Sequence, residues 1–164
     1  MMRIVGVSGH RPSKAGYDQV KLVMFAQLVL IQQDPTRVLT GMAVGWDQAV
    51  AEACVQLRIP FVAVIPFAGQ ESRWPASVQK RYFELLELAH SAVVVSRGEY
   101  SPTKMKARNR YLADHSTKAV VLYDGFGDSG TAQFVRHAEN IGLPYLNVWD
   151  DWQLYQRELP ETVR

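Results

Sequence analysis

At several short stretches of the chain, glycine sits beside arginine, aspartate, serine or threonine, the residue types that hold an anion and a sugar. Amides freed by glycine or by the first turn of a helix bind phosphate, arginine clamps it with paired donors, and a carboxylate accepts from hydroxyls. In Ser8-Gly9-His10-Arg11-Pro12, Gly9 admits close backbone approach, Arg11 supplies the clamp, and His10 titrates near neutrality. In Thr40-Gly41-Met42-Ala43-Val44-Gly45-Trp46-Asp47, two glycines precede a helix that Asp47 either caps or leaves to hold a ribose hydroxyl. Between Pro66 and Pro75, Phe67 and Trp74 can sandwich a base while Arg73 reaches its phosphates. Tyr100 and Ser101 open a basic helix in which Arg108 and Asn109 follow about a turn and a half later. Ser129-Gly130-Thr131 runs directly into another helix, and Asp124 stands at a strand end where it can hold a hydroxyl.

Each stretch also has a plainer reading. Gly9 to Pro12 can be a solvated turn, and Phe67 and Trp74 can simply cover a sheet end. Lys104, Lys106 and Arg110 read best as a solvated basic face. No G-x-G-x-x-G fingerprint and no P-loop Gly-Lys-Ser/Thr is present. Recurrence of one composition at several strand ends is what favours a site.

The elements that must position these loops alternate from end to end. Strands are expected at Arg3–Ser8, Arg37–Thr40, Phe61–Ile65, Ala92–Ser96, Ala119–Tyr123 and Pro144–Val148, most of them unbroken β-branched runs. Helices are expected at Tyr17–Gln33, Asp47–Leu57, Ser77–Ala89, Thr103–His115 and Thr131–Ile141, the last closed by Gly142. In the first, Val20, Val23, Met24, Leu28 and Ile31 share one side. Continuous apolar strands separated by helices imply a doubly wound, mainly parallel α/β sheet of Rossmann type, with helices on both faces. Such sheets bind ligands beyond the carboxyl ends of their strands, where these loops lie. The expected domain spans residues 1–149, and residues 150–164 form a polar tail with a short helix near Trp152–Glu158.

Composition narrows the class. The chain has 164 residues, 48% hydrophobic and 21% charged, enough for one core. A net charge of +2 does not by itself argue for nucleic acid or an anionic membrane. The single cysteine, Cys54, sits in the apolar phase of a helix and reads as buried filler, and a chain without disulfides suits the cytoplasm. Leu22–Ile31 is too short to span a bilayer. The four histidines have no metal-ligand spacing, so no metal site is expected. Apolar helix faces, including Leu22–Ile31 and Phe83–Leu88, serve a core or a homo-oligomer, dimer or tetramer, equally well.

Together these loops resemble the SLOG superfamily, which includes DprA and the LOG enzymes, and are most similar to its YpsA-like branch. The resemblance rests on Ser8–Pro12, Thr40–Asp47, Tyr100-Ser101 with Arg108-Asn109 and Asp114-His115-Ser116, and Gly130-Thr131, in order from about residue 2 to 148. It implies a Rossmannoid fold with a nucleotide-type ligand cradled by the glycine loops. Some members of the superfamily cleave the N-glycosidic bond of nucleoside monophosphates, some sense nucleotide-derived signals, and DprA-type members bind single-stranded DNA. The hydrolytic branch carries Pro-Gly-Gly-x-Gly-Thr followed closely by glutamate. This chain has Asp128-Ser129-Gly130-Thr131-Ala132-Gln133, and a neutral amide at Gln133 cannot act as general base. The expectation is therefore a binder of a nucleotide or nucleotide derivative. The alternatives are a nucleotide N-glycosidase using Asp47, Glu71 or Asp124, and single-stranded DNA binding through Lys104–Arg110.

Overall fold

The computed structural model describes residues 2–11 and 18–158. Pro12, the expected helix start at Tyr17 and the last six residues of the tail lie outside them. Six strands form one sheet: β1 (Ile4–Gly9), β2 (Arg37–Thr40), β3 (Phe61–Ile65), β4 (Ser91–Val94), β5 (Lys118–Leu122) and β6 (Tyr145–Asn147). Their order is β4-β3-β2-β1-β5-β6, and every pairing is parallel. The chain winds outward from β1 to β4, then returns to place β5 on the other side of β1. The topological switch point therefore falls between β1 and β5, where Gly9 pairs with Leu122.

The period-2 geometry of a strand explains why the runs are continuously apolar. Val5, Val7, Val38, Phe61, Ala63, Ile65, Val120 and Leu122 enter one core cluster. Their alternates Leu39, Val62, Val64, Ala119 and Val121 enter the other. Helices α1 (Gln19–Gln33), α2 (Trp46–Leu57), α3 (Ala76–Leu88) and α6 (Trp149–Glu158) cover the first face. Helices α4 (Pro102–Asp114) and α5 (Gly130–Ile141) cover the second. Gly142, in the left-handed region at φ 72°, closes α5.

Two elements differ from their expected packing. In α1 the buried residues are Leu22, Val23, Phe25, Ala26, Val29 and Leu30, and of the stripe picked out by spacing only Val23 is among them. The helix is apolar nearly all round, so periodicity offers two stripes and tertiary packing chooses. Phe25 makes the choice, with its ring against Trp46, Trp152 and Tyr155. The segment from Trp149 is likewise no polar appendage. It is a ten-residue helix whose Trp152 is fully buried in the first core.

Candidate functional site

A cleft of about 470 Å³ opens at the carboxyl ends of β1 and β5, on the α4–α5 side of the switch point. Its walls come from four loops: Ser8–Arg11 after β1, Ala43 and Asp47 after β2, Tyr100 with one face of α4, and Ser129–Thr131 with Gln133.

The α5 end is built to meet an anion. Ser129 caps the helix by accepting from the Ala132 N–H at 3.1 Å. The first amides of a helix have no intrahelical partner and carry the positive end of its dipole. A Cβ added to Gly130 would meet nothing within 4 Å, so the backbone there is open to an approaching group. Thr131 is held by the Ser8 hydroxyl at 3.3 Å, which ties this turn to the end of β1. Asn109 donates to the Gly130 carbonyl at 3.2 Å and accepts from Arg108 Nε at 3.0 Å.

Opposite stands Asp47. It lies in the first turn of α2, and a closely braced loop fixes its position. Thr40 Oγ1 donates to the Asp47 carbonyl at 2.9 Å, and Gln48 donates to the Met42 carbonyl at 3.0 Å. The Ala43 N–H reaches Asp47 Oδ2 at 3.4 Å. Oδ1 is buried and has no hydrogen-bond partner among the described residues. Burial pushes the Asp47 carboxyl up from 3.8 to about 6, against the opposing pull of Arg108, the Ala43 N–H, Arg11 and the Gly9 N–H. Arg108 is buried too, and burial lowers its pKa while Asp47 opposes the fall. A guanidinium nonetheless stays protonated. With Asp47 ionised, Arg108 and Arg11 leave the cleft one positive charge in excess, before the helix dipole is added.

The glycines divide by role. A Cβ on Gly9 would sit 2.5 Å from the Trp46 side chain, and one on Gly41 would strike the Arg108 guanidinium. Arg108 donates to the Gly41 carbonyl at 2.9 Å, and Gln70 donates to it at 3.2 Å. These two glycines admit a tryptophan and an arginine of the protein itself.

Of the residues singled out in the sequence, Gly9, His10, Arg11, Asp47, Tyr100, Arg108, Asn109, Ser129, Gly130 and Thr131 line the cleft. Thr40, Gly41, Met42, Gly45 and Trp46 do not line it; all five are buried, and Trp46 packs against Phe25. Met42 takes a left-handed φ of 62° to turn that loop. Phe67 is buried edge-on to Tyr100, Trp74 packs edge-on to Tyr82, and Arg73 is exposed. Glu71 lies in the same loop with Oε2 buried and without a partner among the described residues, outside the cleft lining. Asp124 holds His10, with Oδ1 3.1 Å from Nε2 and its own N–H donating to that nitrogen at 3.0 Å. Ser8, Ala43, Pro102, Met105 and Gln133 complete the lining without having been candidates. For Pro102 and Met105 the signal was available, since residues 102, 105 and 109 share a face of α4.

The fold and this rim define a class: a Rossmann-like parallel sheet with a polar, cationic cleft at its switch point. A family model named YpsA, described as "YspA SLOG family", matches residues 10–142, and the chain belongs to that family. It is 31% identical over 140 residues to the SPbeta prophage-derived protein YoqJ of Bacillus subtilis, covering 75% of this chain and 81% of YoqJ. It is 26% identical over 179 aligned positions to the UPF0398 protein YpsA of the same organism, covering 96% of this chain and 98% of YpsA. Among solved structures, DNA processing protein A (DprA) from Streptococcus pneumoniae matches at a TM-score of 0.60 and 20% identity, over 96% of this chain and 57% of that one. The Helicobacter pylori DprA, described in its single-stranded DNA binding mode, matches at 0.61 and 19%, over 87% of this chain and 63% of that one. The molybdenum cofactor carrier protein MCP from Chlamydomonas reinhardtii matches at 0.60 and 18%, over 96% and 84%. The chain thus spans 57% and 63% of the two DprA proteins, and at these identities the likeness is one of fold.

Proposed function

We propose that the cleft binds a nucleotide or nucleotide-derived small molecule, for sensing or sequestration in the cytoplasm, in a protein that works as a homo-oligomer. One observation carries the reading. The open start of α5 and the buried Asp47 carboxylate line the same cleft. A ligand that fits both has an anionic end for the amides of Gly130 and Thr131 and a hydroxyl or N–H for the Asp47 carboxylate. A nucleoside phosphate has both. The volume of about 470 Å³ lies within the usual range for small-molecule sites. Ligand mass spectrometry on the purified protein, followed by calorimetric titration with AMP, CMP and a nicotinamide dinucleotide against inorganic phosphate, tests it. Saturable binding that Asp47→Asn weakens ~10-fold or more is expected, on the scale of one hydrogen bond to a charged group. Affinity for phosphate alone, or for none of the probes, would refute it.

One observation favours a second reading, N-glycoside hydrolysis. The Asp47 carboxyl, with a pKa pushed up to about 6, is poised for proton transfer near neutrality. Release of free base from the same nucleotides, abolished in Asp47→Asn and retained in Glu71→Gln, selects hydrolysis over binding alone.

A further inference from the structure

The two ends of the cleft offer a ligand different chemistry. At the α5 end the wall is polar, with Asn109 tied to the Gly130 carbonyl at 3.2 Å. Asn109, Met105 and Pro102 follow one another along one face of α4, four and three residues apart. At 1.5 Å per residue this wall runs about 10 Å from Asn109 to Pro102, and Tyr100 stands at its end. The far end is mostly apolar: a thioether, a proline ring without an N–H, and a phenol ring whose hydroxyl is the one strong hydrogen-bonding group among the three side chains.

Tyr100 is 65% exposed, and its surroundings hold it in place. Buried Phe67 meets the ring edge-on, with centroids 6.2 Å apart. Before it in the chain, the Lys104 ammonium donates to the Glu99 carbonyl. After it, Ser101 Oγ accepts from the Lys104 N–H at 3.3 Å and caps α4. An exposed ring with an anchored backbone is preorganised for a flat partner, because little freedom is lost when it is covered. Among the described residues, no other phenyl, phenol or indole ring lines the cleft.

We propose that Tyr100 is the platform on which the ligand's base stacks, beside Met105 and Pro102, and that the cleft takes purine nucleotides by ring area rather than by base edges. The inference rests on the nucleotide reading and adds the third contact to it, with phosphate at Gly130, sugar at Asp47 and base at the far end of the α4 wall. Stacking uses the π-face that every base has, so it tolerates exchange of exocyclic groups. A purine covers more of the ring than a pyrimidine does.

Calorimetric titration of the full chain with AMP, GMP, CMP, UMP and ribose 5-phosphate tests the assignment. AMP and GMP are expected to bind within ~3-fold of each other, and both more tightly than CMP or UMP. Tyr100→Ala is expected to weaken AMP and GMP by ~10-fold or more and to leave ribose 5-phosphate within ~2-fold, while Tyr100→Phe keeps wild-type affinity for AMP. In proton NMR spectra, AMP should shift the Tyr100 ring resonances upfield, and ribose 5-phosphate should not. Tyr100→Ala that binds AMP as the wild type does would overturn the proposal. So would an equal loss of AMP and ribose 5-phosphate, which would make the ring a prop for the cleft, or a strong preference between AMP and GMP, which would mean that base edges are read. Ribose 5-phosphate bound as tightly as AMP removes the stacking alone, whereas binding of none of the five probes removes the nucleotide reading with it.

Discussion

At the scale of single residues, the cleft separates glycines that serve packing from one that serves access. Gly9→Ala forces a methyl into Trp46 and Gly41→Ala forces one into Arg108, each in a closely packed setting. Both are expected to cost about 1–3 kcal/mol, the usual penalty of overpacking, and to lower the thermal midpoint. Gly130→Ala has free space and a helical position. It should leave the midpoint within a degree or two while weakening the anionic ligand, so thermal melts and titrations of the three variants must diverge. Asp47 makes a second test through its proton. Its folded pKa of about 6 lies above the ordinary 3.8, so the folded state holds the proton more tightly than the unfolded chain. The stabilisation this gives is complete below pH ~4 and lost as pH rises through ~6, about 3 kcal/mol at 1.4 kcal/mol per pK unit. Asp47→Asn has no such proton. The stability of the wild type relative to Asp47→Asn should therefore fall by about that amount between pH 4 and pH 7 in urea titrations. A pH-independent difference would show that the carboxyl is not desolvated.

At the scale of elements, what the sequence made legible follows from which pattern had a single solution. The strands stood out because a parallel sheet covered on both faces needs unbroken apolar runs, and Phe61–Ile65 and Ala119–Leu122 supply them. The start of α5 was legible because Ser-Gly-Thr before a helix has local chemistry. The facing of α1 was not, because a helix apolar on every side carries no phase that local reasoning can choose. Phe67 and Trp74 could sandwich a base or cover the sheet end, and only their neighbours in the fold, Tyr100 for the first and Tyr82 for the second, settle their place. The same holds for Arg108, whose contact with Gly41 spans 67 residues. The last helix looked polar because a single residue, Trp152, carries its anchor. Trp152→Ala should leave a cavity lined by Phe25 and Tyr155 and cost about 3–5 kcal/mol. Chemical denaturation checks this. A loss below 1 kcal/mol would mean that α6 is an accessory rather than part of the core.

At the scale of the whole molecule, the sheet order decides where charge can act. The switch point brings the β1 and β5 loops together, while the exposed basic residues of α4 and α5 line a neighbouring groove with Lys106, Arg110, Arg136 and His137. Two of its residues, Asn109 and Gln133, also line the cleft, so the two are contiguous. This leaves a choice between one compact anion in the cleft and a polyanion that runs along both. Charge balance favours the first. Arg136 is paired with Asp128 at 2.7 Å, His137 lies 3.1 Å from Asp114, and the net charge is only +2. Salt separates the two cases cleanly. Neutralising one phosphate costs roughly 3–4-fold in affinity between 50 and 200 mM salt, whereas six or more phosphate contacts cost ~10³-fold or more. Nucleotide binding should therefore weaken by only a few-fold over that range, and an oligonucleotide should bind no more tightly than a mononucleotide at 200 mM. A steep salt slope with an oligonucleotide, lost in Lys106→Ala/Arg110→Ala, would move the functional surface from the cleft to the groove beside it.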